Sequence, residues 1–219
     1  MKRILCYGDS NTWGHIPCAG TRYPEDVRWT GVVSRLLGED YAIVEEGLNG
    51  RTTTFDDYYV EYRNGRKGLG YALCAHAPID LIVVSLGTND LKYTGAVGSY
   101  KGLDELLRLI ENADANYPAA MSKIFPNGTK ILVVSPIHLH RDIATLRPES
   151  SITDKYVEST KFAEYFRRIA DAHGAAFLDA AQYAEPSIKD CVHMEADSHK
   201  ALGQAIAAKI REIFEGESA

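Results

Sequence analysis

No apolar run in these 219 residues approaches the roughly 20 needed to cross a bilayer, so no membrane partner is expected. Positive charge is also short: 24 lysines and arginines face 30 acidic residues, for a net charge of -6. Phosphate backbones would repel such a chain, and nucleic acid is not an expected partner. Cysteine is scarce. Cys6, Cys18, Cys74 and Cys191 show no C-x-x-C spacing, which argues against a zinc ribbon or a redox pair. All four read as reduced thiols of a cytoplasmic protein, and the apolar part of "MKRILCYGDS" is too short for a signal-peptide core. G-x-S-x-G is missing, which removes the α/β-hydrolase nucleophile elbow, and so is G-x-x-x-x-G-K-[ST], which removes a P-loop. With no repeat, low-complexity tract or linker, residues 1–219 read as one domain.

What is present is an alternation. Five short apolar runs, "RILCYG" from Arg3, "YAIVEE" from Tyr41, "IDLIVVSLG" from Ile79, "TKILVVSP" from Thr129 and "AAFLDA" from Ala175, read as strands. Runs such as "LIVVSL" are continuous, as in strands covered on both faces. Helical spacing falls between them, at Trp29 to Leu37, Leu103 to Ile110 and Phe162 to Ala170, with a closing helix through Leu202, Ile206, Ile210 and Ile213. The pattern predicts a parallel sheet with helices on both faces. Two stretches, Arg51 to Leu69 and Ile137 to about Thr153, are long for plain connections and read as functional covers or mobile segments over the carboxyl edge of the sheet. They could also supply contacts between copies of the chain, which leaves a homo-oligomer open.

"CYGDSNTWGH" shows the first strand stopping abruptly at Gly8-Asp9-Ser10. The second ends in "GLNGRTT" from Gly47 and the third in "GTND" from Gly87, while "DCVH" from Asp190 precedes the closing helix. Each alone has an ordinary reading. Ser10 could cap a helix, Gly50 could serve a turn, and Asn89 could cap the helix after it. Together they supply a hydroxyl, a backbone turn without side chain, a carboxamide and an Asp–His pair. That is an inventory for acyl transfer, in which a nucleophile needs a base, the base an orienting acid, and the oxyanion fixed donors.

These four segments resemble the sequence blocks of the SGNH hydrolases, also called GDSL-type esterases, and "DVRWTGVV", "EEGLNGRTT" and "LVVSP" resemble the arylesterase or acyltransferase-like branch. The resemblance runs from Ile4 to the last helix and implies a three-layer α/β/α, flavodoxin-like fold with a five-stranded parallel sheet. It implies a serine esterase acting on small-molecule esters without a cofactor or metal. Ser10 would be the nucleophile, His193 the base and Asp190 its orienting acid. The Ser10 and Gly50 N–H groups and the Asn89 side chain would form the oxyanion hole. Gly47 competes with Gly50, which is preferred for its interval after the strand. Asn11 stands where the usual string has Leu, a departure expected to affect packing. A carbohydrate O-deacetylase would share every catalytic residue, and a flavodoxin-like binding module is the non-catalytic alternative.

Other residues invite roles. Trp13, three residues after Ser10, is expected to wall the pocket, and His140 to line its rim. "HLH" at His138 to His140 would put two imidazoles on one face if the strand continued, but no third ligand is near. His199 is the decoy for the base; "DSH" at 197–199 reads as a helix cap. "GRKGLG" from Gly65 reads as a flexible turn, and Cys191 would need another base to act as nucleophile.

Overall fold

The computed structural model describes residues 1–117 and 123–216. Five strands, β1 (Lys2–Gly8), β2 (Tyr41–Gly47), β3 (Leu81–Ser85), β4 (Ile131–Ser135) and β5 (Ala176–Asp179), form one sheet in the order β2-β1-β3-β4-β5. Every pairing is parallel. Alternation along each strand divides the apolar residues between two layers. Leu5, Tyr7, Ile82, Val84, Ile131 and Val133 enter one core; Ile4, Cys6, Leu81, Val83, Leu132 and Val134 enter the other.

Each core is closed by helices whose apolar stripe faces the sheet. On the first side lie α3 (Gly65–His76), α4 (Ala96–Glu111) and α5 (Phe162–Ala172), contributing Leu69, Leu73, Leu103, Leu106, Phe162 and Phe166. On the second, α2 (Trp29–Leu37) and α6 (Ala196–Glu215) contribute Trp29, Val33, Leu202, Ile206 and Ile210. Each such fully buried side chain is worth about 1.5–3 kcal/mol over an exposed one. The architecture is the α/β/α sandwich that the alternation predicts. Because β1 lies between β2 and β3, the chain reverses direction across the sheet at β1, and the crevice opens at the carboxyl ends of β1 and β3.

Three local readings are corrected. "GRKGLG" is the first half of α3, not a turn. The Asn64 side chain accepts the Lys67 N–H at its start, and Leu69, Ala72 and Leu73 form a buried stripe that outweighs the poor helix propensity of glycine. The cover after β2 is accordingly shorter than expected, with a helical turn at Glu61–Arg63 before α3. The cover after β4 holds a helical turn at Ile143–Leu146 and is anchored by buried Ile143 and Ile152. Finally, β4 stops at Ser135, so His138 and His140 do not share the face of a strand.

Candidate active site

Ser10 opens a single helical turn, α1 (Ser10–Trp13), directly after β1. Asp9 caps that turn by accepting the Asn11 N–H at 3.0 Å, and Gly14 closes it with a φ of 87°. Burial lifts the Asp9 carboxyl to about 6, against the lowering effects of the Asn11 N–H and of His193 and Arg51. The helix cap is thus supplied by Asp9, which leaves the Ser10 hydroxyl free for another partner.

That partner is His193, whose Nε2 lies 2.9 Å from Ser10 Oγ. Its other ring nitrogen, Nδ1, lies 2.9 Å from Asp190 Oδ2. Asp190 Oδ1 also accepts the backbone N–H groups of Val192 and His193, at 3.1 and 2.9 Å, folding the segment back on itself. Burial pushes the Asp190 carboxyl up, but the hydrogen bond and charge of His193 and those two N–H groups outweigh it and hold the carboxyl at about 2. A hydroxyl, an imidazole and an ionised carboxylate in this order can pass the hydroxyl proton to the ring and stabilise the resulting imidazolium.

The second and third blocks meet beside it. Asn89 Nδ2 donates to Arg51 O at 3.1 Å, so the carboxamide is tied to the residue after Gly50 and keeps one N–H for another acceptor. Asp90 reinforces the join by accepting the Thr53 N–H at 2.8 Å and the Thr53 hydroxyl at 2.7 Å. Burial lifts the Asp90 carboxyl to about 7 despite those bonds. Arg51 is buried; its guanidinium stacks 4.1 Å over the Tyr7 ring and donates to Gly8 O and Glu46 O, bracing the ends of β1 and β2. Gly50 has a φ of 82°, whereas Gly47 is the last residue of β2, where a Cβ would meet the Trp13 backbone nitrogen at 2.2 Å. The two glycines serve different ends: Gly47 lets α1 approach the sheet, and Gly50 shapes the turn.

Trp13 is half-buried beneath Arg22, whose guanidinium lies 5.3 Å from the ring centroid. The His140 N–H donates to Cys191 O at 2.9 Å, which docks its loop on the fourth block, but its imidazole accepts the Asp142 N–H within its own loop. Cys191 is buried, and burial raises its thiol.

His199 is not a cap. Helix α6 starts after Glu195, and His199 lies inside it, fully buried, its Nδ1 accepting the Trp29 N–H at 3.4 Å. Burial holds this imidazole down at about 4, with the charges of His193 and Arg28 acting in the same direction.

Two neighbours of His193 escaped the sequence reading. Asn11 does more than pack: its Oδ1 accepts the Met194 N–H at 3.1 Å and its Nδ2 donates to Val192 O at 3.4 Å, gripping the chain on both sides of His193. His15 brings its ring centroid to 4.3 Å from that of His193. No local pattern announces either contact, because the partners lie far away in the chain.

Fold and site geometry together define a hydrolase of the α/β/α sandwich class with a serine–histidine–aspartate cluster at the carboxyl edge of its sheet. The sequence profile of the GDSL-like Lipase/Acylhydrolase family matches residues 6–201, and the chain belongs to that family. It is a carboxylic ester hydrolase of SGNH fold. Est24, a carbohydrate acetylesterase from Sinorhizobium meliloti, is 31% identical with a TM-score of 0.89, over 97% of this chain and 100% of that one. The native M. smegmatis aryl esterase is 31% identical with a TM-score of 0.86, over 97% and 99%. A carbohydrate acetylesterase family member from Sinorhizobium meliloti is 33% identical with a TM-score of 0.85, over 97% and 98%. Among curated protein sequences nothing matches the chain. No helix among the described residues is long and apolar enough to cross a membrane.

Proposed function

We propose that the protein hydrolyses small acyl esters through an acyl-enzyme on Ser10. The observation that carries this reading is the unbroken chain of 2.9 Å contacts from Ser10 Oγ through His193 to Asp190. His193 takes the Ser10 proton as the hydroxyl attacks the ester carbonyl, and the serine–carbonyl bond forms. The imidazolium then gives that proton to the departing alcohol as the ester C–O bond breaks. In the second half, water replaces the alcohol: His193 takes its proton, the hydroxide adds, and Ser10 leaves with the proton returned. The Ser10 and Gly50 N–H groups and the second Asn89 N–H are the donors for the oxyanion; each such donor is typically worth about 3 kcal/mol in the transition state. Among the described residues neither of those two backbone N–H groups has a protein acceptor, which supports this use.

Short acyl chains suit the surroundings. The loop between Gly50 and α3 is tyrosine- and charge-rich, with Tyr58, Tyr59 and Tyr62 exposed. Such a surface cannot bury a long acyl chain at about 0.8 kcal/mol per methylene, but it can flank an aryl or sugar alcohol. The similarity to carbohydrate acetylesterases favours acetyl-sugar esters as a second substrate class for the same residues. Labelling with an organophosphonate and mapping the modified peptide tests the mechanism: the adduct is expected on Ser10, and its absence refutes the reading. The kcat/KM across acyl esters of one aryl alcohol, compared with acetylated sugars, then ranks the substrates. An optimum at eight carbons or longer would contradict the short-acyl assignment.

A further inference from the structure

His15 lies outside the chain of contacts just described, yet it faces it. Gly14 turns the backbone after α1, and the His15 N–H returns to Ser10 O at 3.0 Å. The return lays the imidazole beside that of His193, tilted by 38°. A ring contact of this kind is unremarkable alone, but one ligating atom from each of His15, His193 and Asp190 lies within 4.8 Å of the other two.

Two imidazoles and a carboxylate are the donor set of an open, four-coordinate zinc site with one position left for water. Bonds of about 2.0–2.1 Å in a tetrahedron place ligand atoms about 3.4 Å apart. Closing the present triangle therefore needs a shift of at most about 1.4 Å, within the reach of a χ rotation of the half-buried His15. Magnesium and calcium prefer all-oxygen shells and find only one carboxylate here.

We propose that His15, His193 and Asp190 form a binding site for zinc or a similar borderline divalent cation, and that its occupation switches the esterase off. The binding stands on the geometry of the three side chains; the inhibition rests on the role proposed for His193. Coordination at either ring nitrogen of His193 disables it, because Nε2 is the atom bonded to Ser10 and Nδ1 the one bonded to Asp190. Coordination at Nε2 uses the lone pair that faces Ser10, whereas coordination at Nδ1 moves the ring proton to Nε2; no redox change is involved.

The test separates binding from catalysis. Ser10→Ala protein, which keeps all three ligands, is titrated with zinc chloride by calorimetry. One ion per chain is expected, with affinity reduced at least tenfold on adding His15→Ala or the milder His15→Asn. In parallel, zinc chloride is expected to inhibit aryl acetate hydrolysis by the unmodified enzyme, reversibly on adding EDTA, while magnesium chloride is not. Both His15 variants should keep turnover within threefold and need at least tenfold more zinc for half-inhibition. Absence of one-to-one binding to Ser10→Ala, or zinc affinity and inhibition indifferent to both His15 variants, would overturn the proposal. His15-dependent binding in a protein whose Ser10→Ala form still hydrolyses esters would uphold the site and refute the role of Ser10 instead.

Discussion

Asp190 holds His193 at two points: Oδ2 lies 2.9 Å from the ring Nδ1, and Oδ1 accepts the backbone N–H of the same residue at 2.9 Å. One carboxylate thus fixes the position of the histidine and the tautomer of its ring. Asparagine could accept the backbone N–H but would present an N–H donor to Nδ1 and favour the wrong tautomer. Asp190→Asn is therefore expected to lower kcat by about 10³- to 10⁴-fold with KM nearly unchanged, measured on an aryl acetate.

The pH dependence follows from the same pair. His193 acts as base only without its second ring proton, so kcat/KM should fall on acidification. With its carboxyl held at about 2, Asp190 stays ionised throughout and adds no step of its own. A kcat/KM indifferent to acidification would contradict the mechanism.

His193 and His199 should separate by assay. His193→Ala is expected to lose at least about 10³-fold in turnover, and His199→Gln far less. The signature of His199 lies in stability. The unfolded chain takes up its proton below the ordinary histidine value of 6.5, while the folded protein resists until about 4. Stability contributed by the buried neutral ring is therefore full above 6.5 and falls as pH drops toward 4, by on the order of 3 kcal/mol. Asp9 and Asp90, both raised, act in the opposite sense: the folded protein protonates them first as pH falls, and their protonation favours the fold. Urea unfolding at several pH values, wild type against His199→Gln, isolates the His199 component, which should vanish in the variant.

The two glycines of the second block should also part company. Gly47→Ala drives a Cβ into the Trp13 backbone, so melting temperature should fall and α1 be displaced. Gly50→Ala meets the flexible Arg63 side chain, with Nε at 2.4 Å, and carries the strain of a positive φ, about 1–3 kcal/mol. If its N–H faces the oxyanion, kcat should drop about tenfold or more while KM changes little. Kinetics paired with thermal melts for both variants distinguish the cases.

Asn11→Leu restores the residue usual in the family's string but removes both hydrogen bonds that flank His193. We expect about a tenfold lower kcat, from a looser imidazole, with organophosphonate labelling of Ser10 slowed in proportion. Unchanged kinetics would reduce Asn11 to a packing residue.

Much of this protein is readable along the chain because its signals are local. The apolar runs and helical stripes report the layers, since a strand covered on both faces must be apolar throughout. Gly8-Asp9-Ser10, the glycine turn at Gly47 to Gly50, Asn89 and the Asp190–His193 spacing report the cluster, since each occupies a strand end or a single tight turn. Other features depend on contacts across the fold. Helix α3 was hidden by its glycines, and only the core behind Leu69 and Leu73 makes it pay. Asp197 and Ser198 beside His199 mimic a cap, but the packing of α6 on α2 buries that imidazole against Trp29. Asn11 and His15 reach His193 across more than 175 positions of sequence, a proximity created by bringing α1 and the start of α6 to the same sheet edge. Local pattern determined which groups were available; tertiary packing decided which of them touch.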